Sequence, residues 1–194
     1  MAKKPLPAPA QGEAVRQQIV EAANRLFYHR GYNQTSFTDI AEAAGIPRGN
    51  FYYYFKTKDD ILGAVIDARI ERIRAMLAEW DAAAADPRQR LKRFAEMIRN
   101  SEKDLVRYGC PMGSLNIELG KAQPALKAKA KKMFDLFRDW LTAQLSALGH
   151  EDASSEALMV LGRTQGVAVL AQVYGDRDYL KEQLAELDAW IAAQ

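Results

Sequence analysis

The stretch GYNQTSFTDIAEAAGIPRGNFYYYFKTK, residues 31–58, constrains the fold more tightly than any other part of the chain. Two short helical segments flank Ala44-Gly45-Ile46, and an aromatic run and two lysines follow them. A longer helix leads in: Ile19, Ala22, Ala23, Leu26 and Phe27 recur at helical spacing and form one apolar stripe. Gly31 stops that helix. Thr35 and Ser36 offer N-caps for the next, with Asp39 placed after Ser36 as in a capping box. Gly45 suits the left-handed position that ends it, and Pro47 suits the first turn of a third helix running to about Tyr54. Thr57 can cap a fourth helix, with Asp59 and Asp60 favourably placed in its first turn.

Two short helices joined by a tight turn and laid against a leading helix are a device for seating the second helix in a DNA major groove. Packing accounts for Phe37, Ile40, Ala41, Ala44, Phe51 and Phe55, which read as core. It does not account for Arg48, Gly49, Asn50, Tyr52 and Tyr53, which fall on the other faces of the third helix. Tyrosine hydroxyls donate to phosphates, and Arg and Asn read base edges. Gly49 permits close approach to DNA, and Lys58, near a helix start, can hold a phosphate together with free backbone N–H groups. The competing reading is a helical protein-interaction module whose surface has no affinity for DNA.

The pattern from Ile19 through Leu62 resembles the DNA-binding domain of TetR/AcrR transcriptional regulators. The resemblance is carried by Ala22-Ala23, Leu26-Phe27, Gly31-Tyr32, Thr35-Ser36-Phe37-Thr38-Asp39-Ile40-Ala41, Ala44-Gly45-Ile46, Gly49, Phe51-Tyr52-Tyr53-Tyr54-Phe55, Lys58 and Leu62. It implies a homodimer, usually a repressor, on a palindromic operator in double-stranded DNA. It also implies that Thr38, Arg48, Tyr52, Tyr53 and Lys58 touch that DNA. The family usually has a small or hydroxyl residue where this chain has Asn50, so Asn50 is a candidate for a distinctive contact.

Beyond residue 60 the helical period continues with no strand alternation, so the fold is expected to be all-α, with about nine helices. Leu62, Val65, Ile66, Ile70, Ile73, Leu77 and Trp80 share one stripe before Asp86-Pro87 breaks it. A helix to about Tyr108 follows, then a short segment among Gly109, Pro111, Gly113 and Gly120, then a long helix from Pro124 to Gly149. The expected organisation is a flexible tail over 1–12, a helix-turn-helix domain over 13–58, and an effector-binding and dimerisation bundle over 59–194. Residues 154–174 are apolar almost all round, so that helix must face both its own bundle and something else. Gly162 and Gly166 permit close helix approach. Together with Leu158, Val169, Leu184, Leu187, Trp190 and Ile191 they mark the expected two-fold interface. A buried central helix in a monomer is the alternative.

Tyr108-Gly109-Cys110-Pro111-Met112-Gly113-Ser114-Leu115 resembles the Gly-Cys-x-x-Gly-Asn-Leu stretch of a NemR/AcuR-like subgroup, whose members respond to reactive electrophiles or small unsaturated acids. Ser114 and Pro111 depart from that pattern. A thiol just before a helix-opening proline feels the positive end of the helix dipole, which favours the thiolate. Cys110 is therefore a candidate sensor, with a small buried hydrophobe as the alternative. By position, Met97, Tyr108, Phe134, Phe137, Trp140 and Gln165 are candidate linings of an effector pocket.

The remaining composition mostly excludes. One cysteine and two histidines argue against a disulfide framework and against a metal site. No apolar run approaches the roughly 18 residues needed to span a bilayer. Prolines rather than an apolar segment follow Lys3-Lys4, so a signal peptide is not expected and the protein is read as cytoplasmic. Residues 1–58 carry eight Lys/Arg against four Asp/Glu, a basic excess that the rest of the chain lacks. No paired catalytic carboxylates, nucleophile-base arrangement or phosphate-binding glycine loop is present, so neither an enzyme nor a cofactor is expected. The expectation is a homodimeric DNA-binding regulator controlled by a small-molecule effector or through Cys110.

Overall fold

The computed structural model of the chain describes residues 9–120 and 123–194, with the backbone alone for residues 9–11 and Arg48. Ten helices are formed by the described residues, and no strand. They are α1 (Pro9–Arg30), α2 (Phe37–Ala43), α3 (Arg48–Tyr54), α4 (Lys58–Ala83), α5 (Pro87–Asn100), α6 (Glu102–Tyr108), α7 (Pro111–Leu119), α8 (Pro124–Ala147), α9 (Ala153–Tyr174) and α10 (Arg177–Ala192). The helix expected to run unbroken to Tyr108 divides at Ser101, whose φ of −96° and ψ of 7° leave the helical region. Its hydroxyl donates back to the Met97 carbonyl at 3.0 Å, a local bond that competes with the helical ladder.

The expected tail over 1–12 needs correction at its inner end. The helix already begins at Pro9, a residue tolerated in a first turn because its missing N–H has no helical partner there. Residues 1–8, and Lys121, lie outside the described residues.

Two buried clusters organise the chain. The first gathers Ile19, Ala22, Ala23 and Phe27 of α1, Ile40 and Ala41 of α2, Phe51 of α3, and Ile61, Leu62, Val65 and Ile66 of α4. Leu115 and Leu119 of α7 and Met133 of α8 also belong to it, so it is not confined to the first 58 residues. The second joins Leu77 and Trp80 of α4 to α5, α6, α8, α9 and α10. Trp80 meets Trp140 edge-on at 5.4 Å, and the Trp140 indole N–H donates to Asp81 at 2.9 Å.

α9 is half buried. Ala157, Val160, Leu161, Thr164, Val167, Ala168 and Ala171 face the bundle. On its other side Leu158, Gly162, Gly166, Val169, Leu170 and Val173 are exposed, so a continuous apolar strip lies open. The all-round apolar sequence is thus split between an inner and an outer face. α10 behaves differently from expectation. Leu184, Leu187 and Ile191 are buried inside the chain's own second core, and Trp190 is half-buried against the same core. The α10 stripe satisfies the bundle first: Leu184, Leu187 and Ile191 face inward, while Trp190 keeps part of its surface open.

Phe51 is fully buried and meets Phe37 edge-on at 4.6 Å. Phe51→Ala is expected to cost about 3–5 kcal/mol in chemical denaturation, the range for emptying an aromatic core site. A loss below about 1 kcal/mol would contradict the packing described.

Candidate nucleic-acid interface and internal cavity

Local hydrogen bonds build the turn between α2 and α3. The Ser36 hydroxyl accepts from the Asp39 N–H at 3.1 Å, and the Asp39 carboxylate accepts from the Ser36 N–H at 2.7 Å, a complete capping box. Gly45 takes φ +64°, and the Ile46 N–H donates to the Ala41 carbonyl at 3.0 Å, which closes the C-terminus of α2. Pro47 stands at the N-cap of α3, one residue earlier than the first turn expected for it.

α3 is pinned from one side only. Phe51 and Phe55 are buried beneath it. Tyr52 and Tyr53 are 55% and 54% exposed, Gly49 is exposed and Asn50 is half-buried. A side chain built at Gly49 would meet nothing within 4 Å, so this face of α3 is open to close approach. The Tyr52 ring stacks on Phe37 at 5.1 Å, which fixes its direction. Thr38 is half-buried on α2, and the Arg48 side chain lies outside the described residues. Asn50, Tyr52 and Tyr53 therefore share a short helix whose packing needs none of their polar atoms.

Lys58 is more committed than its sequence position suggests. Its ammonium donates to the Tyr32 carbonyl at 2.9 Å and the Thr35 carbonyl at 3.0 Å, and lies 4.2 Å from the centre of the Tyr32 ring. These bonds hold the α1–α2 turn against the start of α4.

That turn is held from three further sides. The Tyr32 hydroxyl donates to Asp59, and the Gln123 side-chain amide reaches both groups at 3.3 Å. Burial, and then the Asp59 acceptor, push the Tyr32 phenol up to about 12. Glu118 of α7 accepts from the Asn33 N–H at 3.0 Å. Gly31, at φ +88°, lies so close that a Cβ would sit 2.8 Å from the Glu118 carboxylate. That backbone angle favours glycine, and any Cβ there would have to displace the Glu118 carboxylate.

Between α1, α4, α5, α6, α7, α8 and α9 lies a cavity of about 370 Å³. Met97, Cys110, Phe137 and Gln165 line it as anticipated; Tyr108, Phe134 and Trp140 do not. Phe134 follows Met133, a lining residue, and one residue turns about 100° around a helix. Trp140 is occupied with Trp80 and Asp81. Tyr108 stacks on His29 at 4.5 Å, behind the wall. Cys110 is the N-cap of α7, its sulfur accepting from the Gly113 N–H at 3.4 Å, so the thiol does stand at a helix N-terminus on the cavity wall.

Sequence reasoning missed the polar end of this cavity, where Asn24, Tyr28 and Arg69 meet. The Arg69 guanidinium donates to Asn24 Oδ1 at 2.7 Å and to the Pro111 carbonyl at 2.8 Å, and Tyr28 donates to the Gly109 carbonyl at 3.0 Å. A signal was present: Arg69 interrupts the stripe of Val65, Ile66, Ile70 and Ile73 at a position where that stripe calls for an apolar residue.

Residues 19–65 match the tetR family of bacterial regulatory proteins, and residues 84–186 match the C-terminal domain of LmrA/YxaF-like transcriptional regulators. The chain belongs to the TetR family of transcriptional regulators. An uncharacterized HTH-type transcriptional regulator from the lacX 3′ region of Lactococcus lactis subsp. lactis is 28% identical over 86% of this chain and 87% of its own length. The transcriptional regulator AcuR of Cereibacter sphaeroides is 29% identical over 74% of this chain and 71% of its own length. A TetR-family regulator from Agrobacterium tumefaciens superposes with a TM-score of 0.82 over 92% of this chain and 97% of the other, at 21% identity, a likeness of fold. Among the described residues, no helix of this TetR-family chain is long and apolar enough to cross a membrane.

Lys58→Met removes the donor shared by the Tyr32 and Thr35 carbonyls. A loss of about 1–3 kcal/mol in chemical denaturation is expected, with faster hydrogen exchange across residues 31–35. Unchanged exchange there would contradict the holding role.

Proposed function

We propose that this TetR-family regulator is a cytoplasmic homodimeric repressor. Each protomer sets α3 in the major groove of one half of a palindromic operator. Thr38, Arg48, Gly49, Asn50, Tyr52, Tyr53 and Lys58 form the contact surface. The observation that carries the reading is the one-sided burial of α3: Phe51 and Phe55 anchor it, while Tyr52 and Tyr53 stay more than half exposed. A protein-interaction module would give no reason for Asn50 and two tyrosines to share a short, closely approachable helix.

Dimerisation falls to the open strip of α9. Leu158, Gly162, Gly166 and Val169 lie on it, and the two glycines let a second α9 come close. The outer side of α10 flanks the strip, while its leucines stay inside the protomer.

Release follows occupancy of the cavity. A ligand shifts the regulator away from its DNA-binding form only by binding the released form more tightly. Modification of Cys110 is a second route to the same end, favoured by its position at the α7 N-cap on the cavity wall.

Operator affinity, read by fluorescence anisotropy at fixed salt on duplexes from the regions flanking the gene, tests the reading. Asn50→Ala and Tyr53→Ala are each expected to weaken binding about ten- to a hundredfold, the range for a lost base-edge or phosphate contact, without loss of helix content. Affinity unchanged in the double variant would remove α3 from the interface. Cys110→Ser separates the two routes: normal release by inducer in that variant rules out the covalent one.

A further inference from the structure

Among the described residues, the half-buried Arg69 on the cavity wall has no counterion. Arg69 projects from the apolar stripe of α4, and both of its hydrogen-bond acceptors, the Asn24 amide and the Pro111 carbonyl, are neutral. No carboxylate stands within ion-pair distance of it among the described residues. Burial draws the guanidinium down to about 10, which still leaves it charged at neutral pH. A guanidinium carries five N–H donors in a planar fork, and here two are used. Among the described residues, Nη2 has no partner. A charge removed from water without an opposite charge is costly unless something else supplies one.

The surroundings say what the missing partner looks like. Arg25 and Arg72 line the same cavity from exposed positions, against Asp104 as its one lining carboxylate, so its polar end is basic. The other end is apolar, built from Met76, Phe94, Met97, Phe137 and Leu161. These walls come from α4, α5, α8 and α9, while the basic groups come from α1 and α4. About 370 Å³ is in the range of small-molecule sites, and at ~30 Å³ per water-sized group it has room for about a dozen non-hydrogen atoms.

We propose that the cavity takes a monoanionic amphipath: a carboxylate or similar oxyanion paired with the free edge of Arg69, and a hydrocarbon or aryl body among Met76, Phe94, Met97, Phe137 and Leu161. The proposal rests on the reading of this cavity as the effector site. Guanidinium-carboxylate recognition is planar and two-pronged, which selects a carboxylate over an alcohol of the same shape and rejects a cation outright. The same guanidinium holds the Pro111 carbonyl at the start of α7, whose Glu118 holds the Asn33 N–H of the α1–α2 turn. An anion that draws Arg69 away from Pro111 therefore acts on a helix already tied to the reading head.

The test compares matched ligands by isothermal titration on the full-length protein without DNA. Octanoate, decanoate and 4-phenylbutyrate are each set against their alcohol and their ammonium analogue. At least one carboxylate is expected to bind tenfold or more tightly than its alcohol, with no binding of the ammonium. Arg69→Met should erase that preference while leaving the alcohol's affinity unchanged or improved; Arg69→Lys, which keeps the charge and loses the fork, should fall between. If no carboxylate exceeds its alcohol tenfold in the wild-type protein, or if Arg69→Met keeps the preference, the proposal is overturned. Operator release is scored separately. Arg69-dependent carboxylate binding that leaves the DNA complex intact upholds the anion site and contradicts the effector reading instead.

Discussion

α4 is buried in both cores, and the rest of the structure depends on that sharing. Its first half gives Ile61, Leu62, Val65 and Ile66 to the core of the reading head, and its second half gives Leu77 and Trp80 to the bundle. At 1.5 Å per residue, its 26 residues form a rod about 39 Å long. One continuous helix therefore carries both Trp80 in the bundle and Lys58 at the α1–α2 turn. The helix also starts firmly. Thr57 and Asp60 close a capping box, and Lys58 and Asp59 hold the α1–α2 turn.

α7 supplies a second, shorter connection between cavity and reading head. Its N-cap, Cys110, lines the cavity, and its Glu118 meets the backbone of the α1–α2 turn. The two routes converge on residues 31–35. That turn is where a small shift inside the bundle would alter the angle at which α2 and α3 are presented. The close approach of Glu118 to Gly31 means that a residue that looks like a plain helix stop also meets α7.

Local signals in the sequence were enough for the reading head. The Ser36–Asp39 box, the left-handed Gly45 and the inward Phe51 and Phe55 are all short-range, and each stands where the periodicity and turn chemistry put it. Long-range matters were less legible. The structural bonds of Lys58 were not legible because its two carbonyl partners lie more than twenty residues away in the chain. Leu184, Leu187 and Ile191 looked like interface because an apolar stripe does not say which neighbour covers it. Trp140 and Phe134 missed the cavity for the same reason: helical spacing tells which residues share a face, not what that face meets. Arg69 was overlooked although it breaks an apolar stripe, and it stands on the cavity wall with Asn24 and Tyr28.

In the proposed function, two copies of α3 carried on a two-fold dimer read DNA. Selection of binding sites from a random duplex pool by the purified protein tests it most directly, since it presumes no operator. The expected result is enrichment of a palindrome whose half-site centres lie one helical turn, about 10–10.5 base pairs, or a multiple of it apart. Enrichment of a single unpaired half-site, or no enrichment over the starting pool, would contradict it.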